Sequence, residues 1–550
     1  MKTMKKILLY CMPFCLLFAS CSDLLDEESY SETGKGNYLN NAKEAETVLQ
    51  GVYKNLANEY TYSYHLSLLF TISTDIAQCE GSSTTSFREI PTNSHNASTS
   101  QISRTWQQLY SAIYDANDFI ETVSGRMDSW GSSDRELATI YLGEARALRA
   151  LFYFELVRWY GNVVLMTSTA DSRKKDEDYE QTAAKDVYAY IEEDLKYAAE
   201  VLPWAVDDTK RTSNAYRFSK GAALGLLAKV YCTWAGYPVK DESKWAEAEK
   251  VARRVVESGK HRLISDYETV WKNTCNGIWD AGESLIEVSF YSPTGLDSDN
   301  TAGRIGKWNG VSATTIDGER GRNAANWKVV YSFTRDWEAQ NDPRMKLSIA
   351  DYKYDHTLGS GPITYFSTIS SPNPSEDQKN KQRQLFTPAK WDTEKYVETS
   401  NYIVNNDKSN VNWYILRYSD VLLLFAEALN ESGGSIVDAV DAVNAVRRRG
   451  FGDMKHDLSY GLSREDLRTA IRKERAYELC FEGHRKQDLI RWGIYYDRVM
   501  ETAQELVNWY SNANYAVAKY IIKGRHELLP IPQRDLDMMP KCKQNPGWGQ

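Results

Sequence analysis

Apolar residues recur every three to four positions through the first half of the chain and again near its end, and the rhythm breaks down between. Residues 133–160 carry the strongest stripe. Leu148, Phe152, Leu156 and Trp159 fall at i, i+4, i+8 and i+11, one continuous face of an α-helix. Ser132 and Ser133 read as its N-caps and Gly161 as its stop. The same spacing predicts helices over 42–58, 106–123 (with Trp106, Leu109, Ile113 and Asn117 on one face), 183–201, 219–235 and 244–258. It returns over 414–431, 435–449, 463–482 and 487–507. A Ser/Thr-rich polar run over 81–103 reads as loop.

From 271 to 412 the stripes shorten, and Gly, Asn, Ser, Thr and Pro become frequent. Long irregular stretches inside a folded chain often carry binding residues. The fold expected is mainly α. Its successive helices resemble tetratricopeptide-type hairpins, although the consensus Trp and Gly positions of that repeat are not met cleanly, and a loop-rich insertion follows. The division expected is a helical N-terminal domain over 41–270 and a C-terminal domain over 271–550, with ligand loops about 276–412.

The first residues follow another logic. Lys2, Lys5 and Lys6 precede an apolar run from Ile7 to Phe18, too short for a bilayer core that takes about 20 residues. The run therefore reads as an export signal over 1–20. Phe18-Ala19-Ser20-Cys21 then places small residues directly before a cysteine. Ordinary secretion needs no cysteine there, whereas a lipoprotein needs its thiol for acylation. The segment resembles a bacterial lipobox, with Cys21 as the lipidation site. The acidic stretch Ser22-Asp23-Leu24-Leu25-Asp26-Glu27-Glu28 opens a tether over 21–40 and resembles the surface-export signals of Bacteroidetes lipoproteins.

Charge narrows the partners. The formal net charge is -9, and losing the signal's three lysines takes it to about -12. A nucleic-acid binder needs a basic face, so no nucleic-acid partner is expected. Tyr (36) and Trp (16) outnumber Phe (15), which favours rings with a polar handle and suits surfaces for polar ligands. Cys79, Cys232, Cys275, Cys480 and Cys542 remain after the signal and Cys21, an odd set without short spacing. They give neither a disulfide framework nor a zinc site, and Cys232 and Cys480 read as small core residues.

Four blocks resemble the SusD/RagB family in order. They are Glu144-Ala145-Arg146-Ala147-Leu148-Arg149-Ala150 with Tyr160-Gly161, and Arg417-Tyr418-Ser419-Asp420 leading to Ala426-Glu427-Ala428-Leu429. Then come Glu474-Arg475 through Glu482-Gly483-His484-Arg485 to Asp488-Leu489-Ile490-Arg491-Trp492-Gly493, and Leu529-Pro530-Ile531-Pro532 with Asn545-Pro546-Gly547-Trp548. Val164 and Cys480 depart from that pattern, where proline and alanine are common. The resemblance implies an outer-membrane lipoprotein facing the cell exterior. It would capture oligosaccharide, without catalysis or cofactor, for a SusC-like TonB-dependent transporter. Peptide capture is the near alternative, and a surface glycan hydrolase the distant one.

The third block also has a reading of its own. Glu474, Glu478 and Glu482 stand at i, i+4 and i+8 on one helix face and repel unless cations intervene. Arg475, Arg485, Arg491 and 447–449 are the cations at hand, so a structural ion network is expected. Carboxyls one turn apart also fall within the roughly 5–10 Å a glycosidase uses.

No nucleophile elbow, phosphate loop or zinc-protease helix occurs, and the seven histidines are scattered. Asp297-Ser298-Asp299-Asn300 lacks the later glutamate of a calcium loop, so no metal is assigned. Sugar capture needs ring faces for C–H surfaces and planar polar groups for hydroxyls. Among the middle-loop rings, Trp308 and Trp327 are the expected platforms, with Tyr291 beside them. Arg320 and Asn323 are the expected hydrogen-bonding partners, in a segment that also holds Asp317. From the resemblance, sites of this kind also draw on an earlier stretch, which here offers Asp75 and Arg88.

Overall fold

The computed structural model describes residues 39–292, 301–316, 318–358, 363–366 and 373–549. The signal, Cys21, most of the tether, the acidic turn over 297–300 and Asp317 lie outside the described residues.

Helices dominate, as their pattern predicts. The first half holds α1 (Ala42–Lys54), α2 (Ser100–Arg126), α3 (Ser132–Tyr160), α4 (Ala184–Val201), α5 (Lys220–Ala235) and α6 (Lys244–Val256). The second ends with α7 (Tyr418–Ser432), α8 (Ile436–Phe451), α9 (Arg464–Glu478) and α10 (Tyr495–Trp509). Consecutive helices pack side by side, α2 on α3, α3 on α4, α4 on α5 and α5 on α6. Residues 221–235 of α5 are all buried, so this helix needs cover on every side. Part of that cover is α7, which packs on α5 and α6 and also on α8 and α9, joining the two halves through one hydrophobic core.

Several boundaries differ from expectation. Ser132 and Ser133 lie inside the first turn of α3, while Gly131 holds the cap position without a side-chain bond. Gly161 does end α3, at a φ of 72° that disfavours any residue with a Cβ. The helix expected over 487–507 is two, Arg485–Arg491 and α10, broken at Gly493. There φ is 71°, and a Cβ would stand 2.6 Å from the Tyr237 ring, so the chain turns because only glycine fits. Similarly α9 stops at Glu478, before Phe481 at φ 67°. Residues 414–417 belong to a strand, because this aromatic and branched run is buried along its length and pairs with another strand.

Short helices over 267–275, 331–338, 344–348 and 376–383 punctuate the loop-rich middle. The strands are β1 (Ala77–Cys79), β2 (Ser284–Val288), β3 (Trp327–Val329), β4 (Ile349–Ala350), β5 (Tyr352–Tyr354), β6 (Ile363–Tyr365), β7 (Thr387–Pro388) and β8 (Trp413–Arg417). They form two-stranded antiparallel pairs, β1–β3, β2–β8, β4–β7 and β5–β6. In β1–β3, Ala77 opposes Val329 and Cys79 opposes Trp327, which draws the polar 81–103 run against the middle loops.

Candidate functional site, a tyrosine-lined groove

A groove of about 460 Å³ opens between α1, the polar turn before α5 and the end of β2. Tyr291 stands at its mouth with 67% of its surface exposed. Its backbone N–H donates to the Thr301 carbonyl at 2.9 Å, which fixes where the ring leaves the chain. Tyr216 lines the groove from the other side, at a φ of 61° that few side chains adopt. Its hydroxyl donates to the Gly277 carbonyl, and its ring lies 6.3 Å from that of half-buried Trp279. Gln50 and Lys54 supply exposed polar ends from α1.

The floor is rigid for an electrostatic reason. Arg217 donates two parallel hydrogen bonds to Glu144, at 2.9 and 2.8 Å, and a third to Glu46. Arg211 lies 3.0 Å from the same Glu144, and Tyr53 donates to it at 2.5 Å. Such forked pairs fix geometry as well as charge. Glu287 differs, because among the described residues no cation pairs with its buried carboxylate. Burial pushes its pKa up to about 7, against the hydrogen bonds that Asn412 and Ser284 donate to it at 2.8 and 2.7 Å.

The other expected site residues are placed differently. Trp308 is 8% exposed. Phe87 meets its ring edge-on at 4.9 Å, Tyr64 lies 4.9 Å away on a tilt, and the Arg304 guanidinium stands 5.1 Å from its centre. Trp327 is buried in β3, its backbone N–H bonded to the Trp308 carbonyl at 3.0 Å. The expectation that these indoles are open platforms is therefore corrected. The β1–β3 pairing and the Phe87 ring cover them. Asn323 is buried, donating to Thr393 Oγ1 at 2.8 Å, and Arg320 is tied to Glu394 at 2.7 Å beneath Tyr402. Asp75 is buried between Arg485 and Arg498, at 2.7 and 3.1 Å. Burial alone would raise its pKa, but these cations hold it below the carboxylate's ordinary value. Arg88 remains half-exposed, donating to the Glu80 carbonyl at 2.8 Å and lying over the Phe87 ring.

Trp308, Trp327 and Arg88 thus gather at one end of the loop face, and Arg320 and Asn323 meet over 393–394. Tyr291 lies apart in the groove. Between the groove and Trp308 runs the segment 301–308, where Arg304 pairs with Glu59 at 2.9 Å and Asp407 at 3.2 Å. Tyr216 and Phe87 escaped the sequence reading. The available signal was a single ring in each of two otherwise polar runs, 208–217 and 81–89.

The carboxylate stripe is a buried ion network, with partners other than those nearest in sequence. Glu474 and Glu478 share Arg344 at 2.7 and 2.8 Å, and Glu478 and Glu482 share Arg417 at 2.6 and 2.7 Å. Lys390, Arg447 and Arg449 complete it. Arg475, Arg485 and Arg491 turn instead to Asp488, Asp75 and Glu427. Burial opposes the charge on Glu478, yet the arginines hold its pKa well below the usual range, the reverse of what a general acid requires. Among the described residues no group of three or more His, Cys, Asp or Glu could hold a metal ion.

Two family models match this chain. One described as the SusD family covers residues 297–548, and one described as starch-binding, associating with outer membrane, covers 23–232. A crystallographically solved SusD homologue from Bacteroides thetaiotaomicron is 54% identical, covers 95% of this chain and 100% of its own, and superposes with a TM-score of 0.90. The chain belongs to the SusD family. SusD-like protein P2 of Formosa agariphila is 26% identical across 89% of this chain and 91% of its own length. A laminarin-binding SusD-like protein, 23% identical, shares the fold with a TM-score of 0.68 over 92% of this chain and 100% of its own. In this SusD-family chain, Gln50 and Tyr216 fall in one matched span and Thr301 in the other, while Tyr291 lies between the two. No helix of the described residues is long and apolar enough to cross a membrane.

Proposed function

We propose that this SusD-family protein captures oligosaccharide at the cell surface without altering it, binding in the groove beside Tyr291. The observation that carries the reading is an open tyrosine ring at the mouth of a groove that also presents Tyr216, the exposed polar ends of Gln50 and Lys54, and the ion-paired Arg217. Ring faces take the C–H side of a sugar, and amide, hydroxyl and ammonium groups take its hydroxyls. The same fold serves laminarin binding in one relative. Arg88, half-exposed over the Phe87 ring, stands as a further candidate contact apart from the groove.

The wider reading follows the family. Lipid on Cys21 would hold the protein to the outer membrane through the acidic tether, and a SusC-like TonB-dependent transporter would receive the cargo. A carrier that must release its load works with micromolar to millimolar affinity, ~4–8 kcal/mol.

Incubating purified protein with a panel of glycans tests this. Retention of a glycan without products supports capture. Appearance of shortened sugars would replace it with hydrolysis, and retention of peptides alone would replace it with peptide capture. Cys21→Ala should move the protein out of the membrane fraction, and a variant that stays there would remove the lipid anchor from the account.

A further inference from the structure

A second pocket, of about 230 Å³, lies between α2 and the C-terminal segment and shares no residue with the groove. Trp106, Tyr110 and Tyr179 line it with Asp176, Asp535 and Met538. Its lining holds two carboxylates and no lysine, arginine or histidine. Arg534 adjoins Asp535 in sequence but is exposed and lies outside the lining.

The rings are held in place before any ligand arrives. Tyr110 donates to the Val164 carbonyl and Tyr179 to the Asp171 carbonyl, each at 2.9 Å, while Trp106 and Tyr110 meet edge-on at 5.0 Å. With both hydroxyls engaged elsewhere, the tyrosines offer the pocket their ring carbons. Among the described residues Asp535 Oδ2, shielded from solvent, has no close hydrogen-bond partner. Burial raises the pKa of this carboxyl, only partly opposed by the Trp106 indole N–H and by the charge of the exposed Arg534 outside the pocket.

Aromatic faces carry negative electrostatic potential and hold cations within about 6 Å of their centres. Rings, thioether and carboxylates on one small volume therefore complement a cation with an apolar skin. A bare metal ion would want several oxygen ligands, and two carboxylates among rings do not provide them. We propose that this pocket binds a small alkylammonium ion, its charge toward Asp535 and Asp176 and its methyl or methylene groups against Trp106, Tyr110 and Tyr179.

Calorimetric titration of the full protein with choline, and separately with its uncharged isostere 3,3-dimethyl-1-butanol, tests this at constant ionic strength. Saturable choline binding is expected, at least tenfold tighter than that of the neutral alcohol. Asp535→Asn should weaken choline at least tenfold, and Asp176→Asn, at an exposed position, should weaken it less. No heat from choline, equal binding of the neutral alcohol, or undiminished choline binding by a folded Asp535→Asn would each overturn the proposal. The comparison of the two ligands on the parent protein needs no variant, so it decides even where a substitution disturbs folding.

Discussion

Phe87 meets Trp308 edge-on with ring centres 4.9 Å apart, and this contact makes core of an indole that sequence pattern offers as an open platform. Tyr64 and Arg304 close around the same ring. Trp308→Ala should therefore act on stability first, with a loss of about 3–5 kcal/mol in urea unfolding, as for other buried tryptophans. An unchanged unfolding midpoint would show that the ring is dispensable to the fold and return it to candidacy as a ligand group.

Tyr291 should behave in the opposite way. Its ring is mostly in solvent, so Tyr291→Ala should shift stability by no more than about 0.5 kcal/mol. Glycan affinity in the same variant should fall about tenfold, equivalent to ~1.4 kcal/mol. Calorimetric titration beside thermal melting separates the two effects. Full affinity retained in a folded variant would move the sugar site away from this groove.

The contrast between Trp308 and Tyr291 shows what sequence makes legible here. Helices announce themselves because an apolar stripe at 3.6-residue spacing is local information, and Leu148 to Trp159 needs no tertiary knowledge to read. The family blocks are legible for a related reason. Glu144, Arg417 and Glu478 lie in fully buried ion pairs, where few alternatives keep every charge satisfied. Exposure of a loop ring is not local. Trp308 is covered by Phe87 and Tyr64, which precede it by more than 200 positions, and Trp327 by a strand pairing with Cys79. Of the partners of Glu478, Arg449 is among the cations the sequence offers, whereas Arg344 and Arg417 reach it from distant segments and nearer Arg475 turns aside.

The Glu478 network sets a third expectation. Arg344, Arg417 and Arg449 all donate to this buried carboxylate. Removing one charge leaves its partners buried and unbalanced, so Glu478→Gln should cost about 3–5 kcal/mol. The folded pKa is depressed, so this stabilisation is present above the unfolded value of about 4.5 and is lost as pH falls. Urea unfolding at neutral pH and near pH 3 checks both statements. A variant as stable as the parent at neutral pH would show the network to be neutral in energy.

Glu287 carries the opposite sign. Its pKa rises from 4.5 to about 7 on folding because burial disfavours the carboxylate and no cation among the described residues answers it. Between those values the folded chain holds a proton that the unfolded chain has released, so stability falls as pH rises through that window and stays reduced above it. At ~1.4 kcal/mol per pKa unit, the full effect is up to about 3 kcal/mol. Glu287→Gln keeps the shape and can keep hydrogen bonds with Asn412 and Ser284 while removing the charge. The variant should match the parent near pH 4.5 and become more stable than it by pH 8, the gap opening mainly between pH 5 and 7. Urea unfolding at pH 4.5, 6 and 8 measures this gap. A difference that stays constant across the three would mean that Glu287 does not titrate in this range, and that charge at the groove's edge is not what limits stability there.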